Sequence, residues 1–436
     1  MLRYGLLFKI LIAIIIFSVA LLYSDHFASY VLNRPDYGVY IRLGSLAIIF
    51  ESIFNTTGAI FVGLDHTGYS AITTSIQALV RTTLSSLLVL LGFGVIGAIT
   101  GLVMGYVIAA IVSTALLFIK IYKPLKSGKD EGNSVKFLKT MLRYSLPLYL
   151  SLLLFGLTTQ LQMIILAIFS SDIIVGNFRA SINFVVILSS LTSAVGMSLL
   201  PAFSKLHIDS DRIKTFFTLA NKYTSLLIIP LTTMLIIFSE ELVQIIYGSS
   251  YQSAPFLLSL SATNFFLVGL GGFVFGCFFN GIGETKVTMK MTIVYFIVFI
   301  VLAPLLTKTY NVPGLIIALL LSALIEAILG AYIAKTRFQV QPDYNNVARI
   351  YLVAFISALP ALLIAHFFTL PTLLTLLFSG LAYLFTYITL IPIAGIIDKP
   401  ELESIIQLIN NVGFLKSLVK PIIVYELKLL EKIPGE

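Results

Sequence analysis

Charge is too scarce in this chain to coat a soluble fold. Twelve apolar stretches recur along it, at approximately 4–24, 39–62, 69–92, 97–119, 143–169, 180–203, 223–245, 254–281, 289–307, 312–334, 349–368 and 372–397. A helix needs about 20 mostly apolar residues to cross the hydrocarbon of a bilayer, and each stretch is close to that length or exceeds it. Only 11% of the 436 residues are charged and 58% are hydrophobic, where a soluble domain carries about one quarter charged residues. The chain therefore reads as an all-α polytopic membrane protein with about 12 transmembrane helices. In hydrocarbon every backbone N–H and C=O must find a partner within the protein, and helices do this internally.

The net charge of +8 follows from topology and carries no nucleic-acid signal. With both termini cytoplasmic, the inside segments hold 23 of the 28 Lys and Arg, and the outside segments hold four, Arg34, Arg42, Arg179 and Lys308. Basic residues gather on the cytoplasmic side of membrane proteins. The N-terminal MLRYGLLFKILIAIIIFSVALL has no small-residue cleavage site before Tyr23-Ser24-Asp25-His26 and reads as a first membrane helix. Without Trp, interfacial belts fall to the 21 Tyr. Cys277 is the one cysteine and lies in an apolar run, so it reads as a packed thiol. Short connections are expected at Arg34-Pro35-Asp36-Tyr37-Gly38, Gly92-Phe93-Gly94, Tyr247-Gly248 and Asn311-Val312-Pro313-Gly314.

Five regions follow. Residues 1–119 form an N-terminal bundle of four spans, and 120–142 a basic cytoplasmic linker with Gly128 and Gly132. Residues 143–334 form a six-helix bundle, 349–397 two additional spans, and 398–436 an amphipathic tail on the cytoplasmic membrane surface.

No catalytic constellation stands out. His26, His66, His207 and His366 are scattered without metal-ligand spacing, and there is no HExxH, Walker A or GxSxG pattern. No metal site and no cofactor are expected, and the chain does not read as an enzyme. Gly269-Leu270-Gly271-Gly272 reads as close helix packing. What remains is a short set of polar residues at bilayer depth, where a charge costs about 2.5–3.5 kcal/mol on insertion scales and each group is a functional hypothesis. Glu51 and Glu326 are the carboxylate candidates for coupling, with paired or protonated packing groups as the alternative. Arg81 either snorkels or faces an aqueous cavity. Arg42 is an interfacial anchor or a cavity lining, and Arg179 with Asn183 one turn further in can face a cavity together. Gln160, Gln162 and Asn264 are mid-span amides, open to interhelical hydrogen bonds or to cargo, with Gln160 and Gln162 on different faces. Three arginines and several amides against few carboxylates suit a polar, anionic cargo. Pro230 and Pro360 are either bending points for alternating access or structural kinks.

From Leu146 the chain reads LPLYLSLLLFGLTTQLQMIILAIFSSDIIVGNFRASINFV, then LLPAFSKL, ANKYTSLLIIPLTTMLIIFSEELVQIIYGSSYQSAPFLLSL and FFNGIGETK. In order and spacing this resembles the oligosaccharide flippases of polysaccharide-export type, in the superfamily that includes the MATE exporters and the lipid II flippases. The resemblance implies two six-helix bundles facing each other across a central cavity, often with two further helices. In that register the first bundle lacks two N-terminal helices, so either the start lies upstream or the protein is shortened, inactive alone or dependent on a partner. Lipid II flippases also carry a cavity arginine in their eighth helix, and Arg179 falls near the start of the corresponding helix. Gln160 and Gln162 stand where many relatives have an aspartate.

The expected function is the flipping of lipid-linked oligosaccharides across the cell membrane by alternating access, for polysaccharide or glycoprotein biosynthesis. Arg81 and Arg179 would meet the phosphate of the cargo and the amides its sugars, with Glu51 as a candidate for ion coupling. The expected partners are that substrate, membrane lipids, a coupling ion and other glycan-assembly proteins, with no nucleic acid. The alternatives are a MATE-type drug/cation antiporter, a membrane glycosyltransferase or ligase, and a non-transporting membrane component.

Overall fold

The computed structural model describes residues 2–31, 37–122, 134–206, 211–367, 371–409 and 413–430. All regular structure among them is helical. Leu2–Leu22 (α1), Gly38–Gly63 (α2), Thr67–Leu88 (α3) and Gly94–Leu116 (α4) are followed by Ser134–Phe169 (α5), Asp172–Ser204 (α6) and Asp211–Ile237 (α7). Then come the short Ser239–Tyr247 (α8), Ala254–Ala262 (α9), Gly272–Gly281 (α10) and Thr285–Phe338 (α11). Tyr344–Phe367 (α12), Thr372–Ile393 (α13), Lys399–Ile409 (α14) and Gly413–Leu430 (α15) complete the chain. Residues 123–133 of the basic linker and 34–36 of the first expected turn fall outside the described residues.

Among the described residues, eight helices are long and apolar enough to cross a membrane, or nine with the bent pair α9–α10 taken as one span. The difference from twelve has a physical reason. Two of the eight are 54-residue stretches that each fold back on themselves. The first reverses where Gly92 (φ 91°) and Gly94 (φ 52°) take positive φ. Beyond it, Gly97 lies against Leu88, Gly101 against Ser85 and Gly105 against Arg81, the antiparallel register of α3 on α4. The second reverses at Asn311 (φ 54°), a conformation that Asn tolerates better than most residues. Past it, Gly314 meets Leu306 and Thr307, and Gly330 meets Met291. Within α1, the apolar stretch among the described residues is Lys9–Leu22.

The chain divides into two compact units, Met1–Arg143 and Tyr144–Glu436. In the first, α4 packs on both α2 and α3. Lipid offers little hydrophobic drive for helix association, so close backbone approach through small residues does that work. Gly97, Gly101 and Gly105 supply it on α4, and Thr57 donates to Ser113 Oγ at 2.8 Å between α2 and α4. In the second unit a phenylalanine cluster, Phe203, Phe217, Phe275, Phe278 and Phe279, joins α6, α7 and α10, and all five are fully buried. Along α12 and α13 a separate core holds Ile350, Tyr383, Tyr387 and Ile391 against α7 and the tail. Outward faces are apolar instead, with Leu90 86% exposed and Ile173 78% exposed. That inversion is stable only against lipid.

Candidate functional site: two polar clefts

The first cleft lies within the first unit, between α3 and α4. It encloses about 560 Å³ and is lined by Gln77, Ala78, Arg81, Thr82, Ser85 and Ser86 from α3 with Ala98, Ile99 and Leu102 from α4. Residues four apart fall on one helix face, so Gln77, Arg81 and Ser85 form a single polar stripe. The α4 glycines let that stripe approach the facing backbone. Ser85 donates to the Ala98 carbonyl at 3.0 Å, and a Cβ added at Gly105 would stand 2.9 Å from Arg81 Cβ. Gln77 is buried, while Arg81 is exposed in the cleft. Arg81 makes no ion pair among the described residues. Next to Gly105, Tyr106 donates to Glu51 Oε1 at 3.2 Å and lies within electrostatic reach of both Glu51 and Arg81. Glu51 is therefore held by a tyrosine from α4.

The second cleft lies within the second unit, at a break in a membrane span. Helix α9 runs into a tight 3-10 turn over Thr263–Val268, Gly271 takes φ 86°, and α10 leaves bent by 47°. Non-helical backbone at membrane depth is tolerated only where protein or a polar cavity satisfies it. Both conditions are met. Asn221, fully buried on α7, donates to the Gly269 carbonyl at 3.2 Å. Tyr351 of α12 donates to the Phe266 carbonyl. On its other side the break lines a cleft of about 190 Å³ with Thr192, Asn264, Phe265, Phe273, Ala323 and Glu326 among its walls. The glycine cluster expected to serve helix packing is partly that, since a Cβ at Gly269 would meet the Tyr351 ring at 2.8 Å. The left-handed Gly271 corrects the rest of the expectation: it makes the bend.

The sequence candidates separate accordingly. Asn264 and Glu326, distant in sequence, share the second cleft, and Arg81 lines the first. Arg42 pairs with Asp25 and donates to Ser24 Oγ at 3.0 Å, which makes it an anchor at the start of α2. Among the described residues, Arg179 reaches Met163 Sδ at 3.9 Å. Asn183 donates to the Tyr247 hydroxyl at 2.8 Å. Neither Arg179 nor Asn183 lines either cleft, nor do Gln160 and Gln162 on α5. Four residues escaped the sequence reading: Gln77, Thr192, Asn221 and Asn177. The Asn177 side-chain oxygen accepts the Ser253 and Ala254 amides, each at 3.1 Å, and so caps α9 from α6. Spacing offered a signal only for Gln77, one turn before Arg81. No group of three or more His, Cys, Asp or Glu able to hold a metal occurs among the described residues.

Comparison with known proteins fits this architecture. A family model described as "Polysaccharide biosynthesis protein" matches residues 4–207. A curated relative from Haloferax volcanii, "Probable low-salt glycan biosynthesis flippase Agl15", is 20% identical over 314 residues, covering 72% of this chain and 64% of the relative. The match thus spans less than two thirds of that relative's length. Among solved structures, the lipid II flippase MurJ in an inward closed conformation superposes with a TM-score of 0.64 at 16% identity, over 89% of this chain and 83% of that one. MATE in the straight conformation gives 0.65 at 16% identity, over 77% of each chain. A MOP superfamily transporter from Pyrococcus furiosus, for which reversed binding-pocket polarity suggests a different function, gives 0.63 at 17% identity over 77% of each. These similar proteins are transporters and flippases rather than enzymes.

Proposed function

We propose that this chain, a multi-pass member of the MATE-like polysaccharide flippase family, moves a lipid-linked oligosaccharide across the cell membrane by alternating access. The observation that carries the proposal is the first cleft. It presents one arginine with no acidic partner among the described residues, beside an amide and several hydroxyls. Guanidinium binds phosphate oxygens through a planar fork of donors, and amides and hydroxyls match sugar hydroxyls in both donor and acceptor roles. A phosphate joined to a sugar presents both chemistries at once. Arg81 would hold the phosphate, with Gln77, Ser85 and Ser86 along the same stripe for sugar or phosphate oxygens.

The second cleft supports a coupling role for Glu326. A carboxylate beside an amide and a broken helix has the oxygen ligands that a proton or a hard cation requires. Glu51, already accepting from Tyr106, is the weaker candidate for that role. With the termini on the cytoplasmic side, the inner segments carry the basic excess, and other glycan-assembly proteins would supply the cargo there.

The test is reconstitution of the full chain in vesicles with a labelled lipid-linked oligosaccharide, followed by leaflet accessibility. Arg81→Ala should slow equilibration about tenfold or more, as loss of a charge-assisted hydrogen bond of roughly 1.5–3 kcal/mol predicts. Glu326→Gln should abolish dependence on an imposed ion gradient. Accessibility matching empty vesicles overturns the proposal. A carboxylate in a cleft also suits a drug/cation antiporter. Gradient-driven cationic dye export without glycan movement would select that reading instead.

A further inference from the structure

Lys222 on α7 is a buried cation, only 7% exposed. Its ammonium donates to both oxygens of Glu401, at 2.8 and 2.7 Å. Glu401 sits in the first turn of the tail helix α14 and also completes its N-terminal cap. Its own amide donates to Asp398 Oδ1 at 2.9 Å, while the Asp398 amide reaches back to Glu401 Oε2 at 3.4 Å. This is the reciprocal capping box. One carboxylate therefore both starts the tail helix and neutralises a buried lysine of the span bundle. The tail is further seated by Leu402 and Ile423, nearly fully buried in the core along α12 and α13, and by a Tyr425–Thr389 hydroxyl contact at 3.1 Å.

The residue before Lys222 is Asn221, whose amide stitches the Gly269 carbonyl at the span break. Adjacent residues of α7 thus grip the tail and the break. Phe266 and Tyr351, the second carbonyl–hydroxyl stitch, pack against the same core as the tail. From this juxtaposition we infer that the α14–α15 tail is a conformational latch. When docked, it fixes α7 through Lys222–Glu401. Asn221 then holds the break, and with it the cleft of Asn264 and Glu326, in the observed geometry. Release of the tail loosens the break. A contact at the chain's end thereby sets the stiffness of a cleft that it does not touch. Truncating one partner of a buried pair leaves the other charge uncompensated, so the pair is a sensitive point at which to trip the latch.

The test is hydrogen–deuterium exchange of the full chain in lipid nanodiscs, read at 399–409 for the tail and at 264–271 for the break, with the α3–α4 hairpin as internal reference. Glu401→Gln should raise exchange in both segments about tenfold, within the range of ordinary intersite coupling, and leave the hairpin unchanged. Coupling free energies are reciprocal, so Asn221→Ala should also raise exchange at 399–409. A second route avoids misfolding: a protease site inserted after Ile397 is cut on the folded protein, which frees residues 398–436. Wild-type protection at 264–271 after the tail has left overturns the inference. Unchanged exchange in both segments of the Glu401→Gln protein overturns the role of the ion pair.

Discussion

Replacing Gly101 by alanine tests whether backbone contact between α3 and α4 shapes the first cleft. A Cβ at this position would lie 2.6 Å from Ser85 Cα and also meet the Ser85 amide nitrogen and hydroxyl. Ordinary van der Waals contact begins near 3.4 Å, and the obstructing atoms include helix backbone, which no rotamer change can move. The helices must part by roughly 1 Å, enough to forfeit much of the local dispersion attraction, and overpacking of this kind costs about 1–3 kcal/mol. Alanine also returns up to about 1 kcal/mol of helix propensity over glycine. Gly156→Ala isolates that gain, because nothing lies within 4 Å of a Cβ there. In reversible unfolding of the reconstituted chain in mixed micelles, Gly101→Ala should fall about 1–3 kcal/mol below Gly156→Ala. The parted helices should also lose the Ser85–Ala98 hydrogen bond and weaken cargo phosphate binding at Arg81. Equal stabilities for the two variants would refute the argument that the α4 glycines set the spacing of this hairpin.

Three further outcomes follow from named contacts. Asn177→Ala strands the Ser253 amide, while the Ala254 amide keeps the Tyr251 carbonyl at 3.1 Å, and should cost about 1 kcal/mol, visible as a lower unfolding midpoint and faster exchange at 253–257. Arg42→Ala removes an ion pair whose side chains are 48% and 60% exposed. Such pairs contribute less than about 1 kcal/mol, so equilibration of the labelled lipid should be nearly unchanged in that variant where Arg81→Ala slows it about tenfold. Burial lifts the Glu426 carboxyl from its ordinary value of 4.5 to about 7. The docked tail therefore keeps a proton that the free tail has already released. Docking is fully favoured below about 4.5, weakens as pH rises through about 7, and levels off above. Protection factors at 413–430, taken against the intrinsic exchange rate at each pH, should fall over that window and stay constant in Glu426→Gln.

Much of this arrangement is legible in the residues themselves. Apolar length alone marks the spans, and Gly92-Phe93-Gly94 and Asn311-Val312-Pro313-Gly314 mark two reversals, because turn chemistry is local. Intramembrane charge singles out Arg81 and Glu326, which line the two clefts, since burial of an ionisable group demands a reason. The break in the eighth apolar stretch is not legible. A hydropathy window cannot tell a straight span from one bent at Gly271, and the glycines there also serve packing. Nor does spacing along one helix reveal which face meets which neighbour, so Arg179 and Asn183 share a face yet line neither of these two clefts. The tail illustrates the same limit. Its two helices carry amphipathic sequence suited to a membrane surface, but Lys222 and the α12–α13 core supply a protein partner for it.

Tyr351 carries a consequence for truncation. It belongs to α12, and its hydroxyl donates to the Phe266 carbonyl at the break. That carbonyl also accepts the Gly269 amide at 3.1 Å, so the hydroxyl takes its second lone pair and ties α12 to the break. The helix α12 is therefore one of the elements that hold the break. A chain ended after Phe338 would keep α5–α11 and lose the hydroxyl that ties α12 to the break.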